Sequence, residues 1–428
     1  MTEPMTTTAS TLVSQLSAGE PDWLKNQREA AWECYAALPS PRLEKSDLTK
    51  RGWEFGPFPE EVSHPQAEDT KELSASLQDG PAIVVRDGLL DSVSNLDDLS
   101  SQGIIFSDLA TAIRTHGDLV EKYLGTVVQT TDAKWTALNS SLWRGGVFLY
   151  VPRHVKVEQP FHFIYEESAE GKGAFPRVLI IAEEDSEVAY VETYITNGER
   201  SSGLVHSAVL EVVAKADAKV TVVSLTQFSK GPTNYSVRKA LLGKDAKVNW
   251  IVGDVGDGYT VATVETLLKG NGSNATAKYL GIGGGRQHMD LTTSMVHSGR
   301  YSLSDIVMNG VLLEKAVSIF RSSTQIIRGA AGASSEQYDR MLMLSGTSRA
   351  DAIPMLLIDE HDVQRCGHAA SVGQIDPMQV YYLMSRGISE LTAMKMIVWG
   401  YLHPTIDAIP SAPVRDWMIR CIDRELAK

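Results

Sequence analysis

The first regular hydrophobic pattern in the chain is helical. After residue 20, side chains that can pack together recur at the three-and-four spacing of one helix face. They are Trp23, Leu24, Gln27, Ala30, Ala31, Cys34, Tyr35 and Leu38. A second helix is predicted from Phe106 to Leu124. We therefore expect a mainly helical domain over residues 20–135, with Cys34 as a packing cysteine, preceded by a Thr-, Ser- and Ala-rich disordered tail over residues 1–19.

The middle of the chain, from Gly145 to about Gly373, changes to short β-rich runs separated by Gly, Asn and Asp turns. Four runs align with one another as an apolar pair, a polar turn and an alternating strand: "IIAEEDSEVAYVE", "VVAKADAKVTVVS", "LLGKDAKVNWIVG" and "LLKGNGSNATAKYLG". The offset from Val220 to Val248 is 28 residues. Degenerate repeats of this length are typical of stacked units with a continuous core. The pattern favours a β-solenoid or β-helix over residues 136–374, with an ordinary sandwich as the alternative.

The last part, residues 375–428, is patterned as three helices. Asp376-Pro377 supplies an N-cap and a first-turn proline, and Gly387 ends that helix. Ser389 caps a second helix, which His403-Pro404 is expected to close. The apolar stripes are Leu391, Met394, Ile397, Val398, Tyr401 and Leu402 on the second helix, and Val414, Trp417, Met418, Cys421, Ile422 and Leu426 on the third. The module has the size of a docking element, although such stripes are more often core.

Composition narrows the function classes. The 428 residues are 43% hydrophobic and 22% charged, as in ordinary globular proteins, and the net charge of −13 argues against nucleic-acid or anionic-membrane binding. No run approaches eighteen apolar residues, so a membrane span is not expected. Three widely spaced cysteines do not suggest a disulfide framework, which fits a cytoplasmic location. No phosphate-binding loop is present, so ATP could enter only through a partner.

Candidate chemistry centres on "VQRCGHAASVGQ", residues 363–374. In an extended segment Cys366 and His368 point to the same face and could share one ion. The alternative is a small hydrophobe beside a core histidine in a buried strand. The acidic runs "EED" at 183–185 and "DEHD" at 359–362 could act in sugar chemistry, which keeps a β-helical polysaccharide lyase or hydrolase open. Solvated turns are the more common explanation of such runs.

One segment carries a resemblance to a known family. "ADAIPMLLIDEHDVQRCGHAASVGQID" followed by "YYLMSRGIS" resembles the C-terminal core of the SufB/SufD family, subunits of the SUF iron–sulfur cluster assembly scaffold. Weaker similarity covers residues 140–152 and 20–41. The SufB type has a functional cysteine where this chain has Tyr338, and an acidic residue where it has Ala369. Both departures favour the SufD branch.

The resemblance implies a right-handed parallel β-helix core between N-terminal and C-terminal helical domains, in a non-enzymatic scaffold subunit. Such a subunit pairs with SufB through the β-helices, and a homodimer in isolation is left open. It receives sulfur from a cysteine desulfurase system and builds a transient Fe–S cluster at the interface with SufB. His368 would be the metal ligand facing the cluster, with Cys366 as its neighbour.

The resemblance also implies a partner for the C-terminal helices, the SufC ATPase. The residues expected to dock it are Tyr382, Arg386, Met394, Ile397 and Tyr401. Whether the complex needs reduced flavin is left open.

Overall fold

A computed structural model describes residues 11–48, 51, 53–77, 80–96, 99–168, 172–198, 203–229, 231 and 233–427. The fold is mainly β, with a parallel β-solenoid core of about 8 turns flanked by N-terminal and C-terminal helices. The predicted fold class is therefore confirmed, and the sandwich alternative is wrong. Among the described cysteines none forms a disulfide.

Helices occupy both ends of the chain. Residues 11–16 lie in a first helix, α1. The others are α2 (Asp22–Ala37), α3 (Glu68–Ser76), α4 (Leu109–Thr115), α5 (Gly117–Tyr123), α6 (Lys134–Leu142), α7 (Pro377–Ser385), α8 (Glu390–Ile406) and α9 (Ala412–Glu425).

Strands fill the middle and form two sheets. They are β1 (Ala82–Arg86), β2 (Leu89–Ser94), β3 (Ile105–Asp108), β4 (Gly146–Val151), β5 (Phe161–Ser168), β6 (Arg177–Ala182), β7 (Glu187–Asn197), β8 (Val205–His206), β9 (Val209–Ala214), β10 (Lys219–Phe228), β11 (Thr233–Leu242), β12 (Lys247–Gly256), β13 (Tyr259–Leu268), β14 (Asn274–Gly283), β15 (His288–His297), β16 (Leu303–Leu312), β17 (Val317–Ile326), β18 (Ala333–Met343), β19 (Arg349–Ala352), β20 (Met355–Ile358) and β21 (Val363–Gln374).

The chain alternates between the two sheets, one strand in each per turn. Among the described residues, sheet 1 has the order β2-β1-β5-β7-β10-β12-β14-β16-β18-β21. Sheet 2 has the order β19-β17-β15-β13-β11-β9-β6-β4-β3, with β20 beside β17 and β8 beside β11. Val220 pairs with Val248 and Val248 pairs with Ala275, as the repeat predicts. Side chains at equivalent repeat positions therefore stack into rows along the solenoid.

The polar turns stack as well, and their backbone explains their residue types. Asp185, Asp217 and Asp245 have φ values of 53°, 60° and 54° at equivalent corners, and Gly272 follows at 70°. Only Gly, Asn and Asp adopt this left-handed conformation readily. The N–H of Asp217 donates to the carbonyl of Lys244 in the next turn at 2.8 Å. These corners form a backbone hydrogen-bonded ladder that sets the register of successive turns.

Two sequence predictions in the N-terminal part need correction. Residues 11–16 are helical and bury Leu12 and Val13 in an apolar cluster, so the predicted tail is wrong there, while residues 1–10 lie outside the described residues. The predicted Phe106–Leu124 helix begins as strand β3 and then splits into α4 and α5. Asp108 caps α4 by accepting from the N–H of Thr111, which fixes the helix start after Phe106.

In the C-terminal part the predicted caps are confirmed. Asp376 accepts from the N–H of Met378, Ser389 accepts from the N–H of Thr392, and Gly387 is left-handed at φ 86°. The predicted stop at His403-Pro404 is wrong, because α8 continues to Ile406. Thr405 and Ile406 are buried there, so packing holds the last turn together although the proline lacks an N–H.

Helices cover the outer face of each sheet. The N-terminal helices pack on sheet 2 through side chains such as Leu138 and Tyr235. Helices α8, α9 and α3 pack on sheet 1, where Trp417 and Cys421 are buried. Cys421 is therefore a core cysteine, as predicted, whereas Cys34 on α2 is half-buried. The C-terminal helices thus belong to the packed body of the molecule.

Candidate functional site

The quoted Cys-x-His segment is strand β21, the last rung of sheet 1. It pairs with β18 on one side, and among the described residues no strand pairs with its other side. None of its twelve residues is buried. The segment is a strand, as predicted, but the alternative prediction that this strand is buried in the core is wrong. Because β21 ends the sheet, a row of backbone N–H and C=O groups is left open.

The register places both candidate side chains on the inner side of the solenoid. Cys366 pairs with Ser335, and His368 pairs with Gln337, in a parallel ladder. Ser335 and Gln337 are buried in the solenoid lumen, and parallel partners point to the same face. The predicted same-face relation of Cys366 and His368 is therefore confirmed. Both lie above the end of the lumen.

Beneath them the lumen is lined by a buried network of polar side chains. Ser335 and Thr324 share a hydrogen bond of 2.8 Å, and the amide nitrogen of Gln337 donates to the hydroxyl of Thr324 at 2.6 Å. The hydroxyl of Ser322 donates to Asp339 at 2.7 Å and lies 3.3 Å from the amide oxygen of Gln337. A buried polar network of this kind specifies one arrangement of its members. We call it the polar floor: Ser322, Thr324, Ser335, Gln337 and Asp339.

A buried histidine extends the floor toward the middle of the solenoid. His297 is fully buried between the hydroxyls of Ser302 and Ser304, each at 2.8 Å. Ser304 in turn donates to Ser335 at 2.9 Å. Burial lowers the pKa of His297 to about 4, so its ring is neutral at neutral pH. Sequence reasoning missed the floor, although its inward Ser, Thr, Gln and Asp residues alternate along β16, β17 and β18.

Asp339 is the acidic member of the floor. Burial raises its pKa, and the hydrogen bond from Ser322 and the nearby His368 imidazole act in the opposite direction. In the strand register, His368 lies diagonally across from Asp339 on the same face. The carboxyl is therefore a neighbour of the candidate ligand.

Cys366 is half-buried against Ile326, Ala330 and Ala333. Burial, with a smaller effect of the Glu336 carboxylate, raises the pKa of the Cys366 thiol. The thiolate is the nucleophile and the metal-binding form of cysteine. In this chain the sulfur is therefore held in its less reactive, protonated form.

The end of the solenoid has no helical cap among the described residues. Its second edge, β20, exposes Met355, Leu357 and Ile358, and Val372 is exposed on β21. Uncovered edge strands and grouped apolar side chains mark protein interaction surfaces. We call β19, β20 and β21 together the open end. Within the described residues no three His, Cys, Asp or Glu side chains come together as a metal site, so the open end offers Cys366 and His368 as two donors.

Four of the five residues expected to dock an ATPase are exposed or half-buried at α7 and α8, and the fifth packs against sheet 1. Tyr382 on α7 and Arg386 directly after α7 are exposed, with the guanidinium 5.2 Å from the ring centre. Met394 and Ile397 are half-buried on α8. A groove of about 400 Å³ between α7 and α8 is lined by Asp376, Met378, Gln379, Tyr382, Leu383 and Ile397. Tyr401 instead packs among the side chains between α8 and sheet 1, and burial raises its pKa.

Helices α7 and α8 also carry an exposed apolar surface that sequence reasoning did not separate from the packing stripe. Its members are Met378, Tyr381, Tyr382, Met384, Leu391 and Met396. The sequence pattern predicts Leu391 on the packing stripe, yet its side chain is 60% exposed. We call these six residues the helical patch. The signal lay in the sequence, since α8 has apolar residues on two faces rather than one.

Tyr338 and the two acidic runs, the remaining candidates from the sequence, do not lie on the inner side of the open end. Tyr338 is half-buried on β18, and its hydroxyl donates to Glu336 at 3.3 Å. The acidic runs at 183–185 and 359–362 occupy equivalent corners six turns apart, roughly 29 Å at the usual strand spacing. A glycosidase needs its two carboxyl groups within about 10 Å, so these runs do not form such a pair.

Within the described chain, no helix has the length and apolar character needed to cross a membrane.

Comparison with known proteins matches the chain to one protein family over most of its length. The family model "SUF system FeS cluster assembly, SufBD core domain" matches residues 163–401, and the "SufBD protein N-terminal region" model matches residues 71–163. The iron–sulfur cluster assembly protein SufD of Bacillus subtilis is 39% identical over 418 residues, 95% of each chain. The cluster assembly protein SufB of the same organism is 29% identical over 421 residues, covering 91% of this chain and 87% of its own. A SufBD family protein of Staphylococcus saprophyticus is 29% identical over 415 residues, with the same coverage.

Proposed function

The chain belongs to the SufBD family of the SUF iron–sulfur cluster assembly system, most like SufD, and from this premise we propose that it is a non-enzymatic scaffold subunit that pairs with a SufB-type subunit. The observation that carries the proposal is the open end. It combines an unpaired strand edge with apolar side chains and the inward-facing Cys366 and His368. A second subunit seated there would cover the edge and enclose both side chains.

In the proposed assembly the nascent Fe–S cluster is the cargo. A neutral imidazole can donate a lone pair to iron, so His368 is the ligand that this chain contributes. Cys366 starts as a protonated thiol and would become a ligand only if the partner's charges or iron favoured its thiolate. With the stronger ligands on the partner, the cluster would be held weakly enough to be transferred. Reduced flavin, delivery of sulfur by a cysteine desulfurase system and cytoplasmic location stay predictions.

The helical patch is the proposed binding site for the SufC-type ATPase. Six exposed apolar side chains on two adjacent helices, with the groove between them, give the surface expected for a protein partner. Helix α8 also packs on sheet 1, the sheet that contains β21. Movement of an ATPase bound there would thus be transmitted through α8 to the sheet that contains the open end.

The proposal is tested by co-expression with SufB-type and SufC-type partners and anaerobic cluster reconstitution. Wild type, Cys366→Ser, His368→Ala and the control His361→Ala are compared, since His361 is exposed in the loop before β21. We expect His368→Ala to lower the cluster content while the complex stays assembled, and His361→Ala to leave it unchanged. Equal cluster content in all four complexes would remove β21 from the chemistry.

When no partner is present, we propose that two copies of the chain form a homodimer through the same open end. Identical β21 edges can pair with each other as readily as with a relative of similar fold. Light scattering of the free chain, with and without the SufB-type subunit, distinguishes the two states. The free chain should be a dimer whose self-association is lost when the partner is added.

A further inference from the structure

One carboxyl oxygen in the polar floor has no hydrogen-bond donor among the described residues. Asp339 is fully buried, and its Oδ2 accepts from Ser322 at 2.7 Å. Its Oδ1 is buried and unpaired within the part of the chain that the structure describes. Buried carboxyl oxygens are nearly always hydrogen-bonded, so an open one calls for an explanation.

The strand register brings His368 within reach of this oxygen. Asp339 pairs with Ala370, which lies two residues after His368 on β21. Neighbouring strands are about 4.8 Å apart, and diagonal neighbours on one face are about 7 to 8 Å apart between Cα atoms. An imidazole and an aspartate side chain together span that separation. His368 is exposed, so its ring has room to turn toward Asp339.

The surrounding residues leave the path between them open. Ala370 carries only a methyl group above Asp339, and strand side chains lean along the strand direction. Gln337, directly below His368, already uses its amide nitrogen on Thr324 and on the carbonyl of Met355. Its amide oxygen lies 3.3 Å from the hydroxyl of Ser322, which donates its single proton to Asp339 Oδ2 at 2.7 Å. Within the described residues, Asp339 Oδ1 is the floor oxygen that has no hydrogen-bond partner.

We propose that Asp339 is a positioning residue for His368. One ring N–H of His368 donates to Asp339 Oδ1, which fixes the tautomer and leaves the lone pair of the other nitrogen facing the partner subunit. A neutral imidazole has one donor and one acceptor, so fixing the donor fixes the acceptor. Metal-binding histidines commonly donate their second nitrogen to a carboxylate in this way. The inference rests on the proposed role of His368 and adds the residue that orients it.

The first test is a double-mutant comparison in the complex with SufB-type and SufC-type partners. Asp339→Leu removes the acceptor at similar size, and Asp339→Asn keeps one oxygen; each is made alone and together with His368→Ala. We measure the concentration of a ferrous chelator that removes half of the reconstituted cluster. Asp339→Leu should lower that concentration about 10-fold, Asp339→Asn less, and neither should have a further effect when His368 is absent. The proposal would be overturned if Asp339→Leu lowered the chelator concentration equally with and without His368, or did not lower it at all.

The second test uses the free full-length chain and does not depend on the cluster. The ring nitrogens of ¹⁵N-labelled histidines report the tautomer directly, and His368→Ala identifies the His368 signals. Asp339→Leu should change the tautomer ratio of His368, whereas the control Asp305→Leu, on the outer face of β16, should not. An unchanged ratio in Asp339→Leu refutes the positioning role. If His368→Ala leaves the cluster unaffected, the proposed function fails, and the tautomer ratio still decides the role of Asp339.

Discussion

Two buried histidines contribute to the response of the fold to pH, His297 inside the solenoid and His162 on the outer face of sheet 1 beside Ser411. His162 and His297 are both buried, and burial lowers the pKa of each to about 4. His162 keeps a hydrogen bond of 3.0 Å to Ser411, and His297 lies between two serine hydroxyls. Each ring contacts serine hydroxyls, although Nδ1 of His162 has no hydrogen-bond partner, and within the described residues neither ring forms an ion pair with a carboxylate that would favour its charged form. Folding therefore holds both histidines in the neutral form.

The first prediction is that the fold loses stability as the pH falls from about 6.5 to 4. In that range the unfolded chain, with ordinary histidine pKa values near 6.5, takes up protons that the folded chain cannot bind. Stability therefore rises with pH across this window, and the slope from these groups ends below pH 4. Each histidine contributes on the order of 3 kcal/mol to the difference. Denaturant unfolding midpoints at several pH values measure it.

The matched variants for this prediction are His297→Gln and His403→Gln. Glutamine at 297 can still bond the serine hydroxyls but does not titrate, so the loss between pH 7 and 4.5 should shrink by about 2 to 3 kcal/mol. His403 is exposed on α8, and its replacement should leave the slope as in wild type. An unchanged slope in His297→Gln would contradict the assignment of a buried neutral ring.

Secondary-structure elements decide which surface can bind a partner. Strands β2 and β21 are the two edges of sheet 1, and both expose a valine, Val93 at 43% and Val372 at 42%. Strand β2 also exposes Leu90, but only β21 lies at the open end, next to the exposed apolar side chains of β20. A lysine on an edge strand opposes pairing with another strand. The two edges therefore provide a test and its control within one sheet.

The second prediction is that Val372→Lys abolishes binding to the SufB-type subunit, while Val93→Lys does not. The charged side chain would have to be desolvated inside the proposed interface, which is unfavourable without a partner charge. Val372 and Val93 are both exposed, so both variants should remain folded. Affinity capture of the partner measures the outcome. Retained capture by Val372→Lys would place the interface elsewhere.

The third prediction concerns the stacked corners. Asp217 is exposed and left-handed, so Asp217→Val should lower the stability by about 1 to 2 kcal/mol, since a β-branched residue disfavours this conformation. Asp217→Gly keeps the conformation accessible and should change little. Thermal unfolding of the two variants compares them directly. Equal midpoints would mean that the corner relaxes without strain.

The same corners explain how much of the fold was predictable from sequence. A left-handed turn selects Asp, Asn or Gly locally, and lumen positions alternate with outer ones, so the 28-residue repeat was visible between Val220 and Val248. The start of α4 at Leu109 was not, because the pattern from Phe106 fits a helix until Asp108 caps it. The end of α8 was missed because buried Thr405 and Ile406 outweigh the proline signal.

At the candidate site the predictable part was also local. The two-residue spacing put Cys366 and His368 on one face, and the register confirms it. That β21 is exposed was not predictable from its composition, because exposure depends on which rung is last. The polar floor was hidden for a related reason. Ser322 and Asp339 lie 17 residues apart on different sheets, and only the coiling of the chain brings them together.

For the whole molecule, the C-terminal helices have two roles on opposite faces. Helices α8 and α9 bury Val398, Leu402 and Trp417 against sheet 1, and Arg424 forms an ion pair with Asp69 on α3 at 2.8 Å. Removing the chain after Asp376 would therefore uncover the outer face of sheet 1 as well as remove the helical patch. A deletion cannot separate docking from folding. Substitutions in the helical patch can.

The last prediction is that Met378→Glu abolishes capture of the SufC-type ATPase while binding of the SufB-type subunit is retained. Met378 is 68% exposed at the groove between α7 and α8, so a charge there is harmless to the free fold but unfavourable in a desolvated interface. Leu90→Glu on β2, 47% exposed and on no proposed interface, is the control and should capture both partners. Capture from a co-expression of all three subunits measures both contacts in one sample. Loss of both partners in Met378→Glu would show that the helices and the open end are one interface, whereas retained ATPase would move its site away from the helical patch.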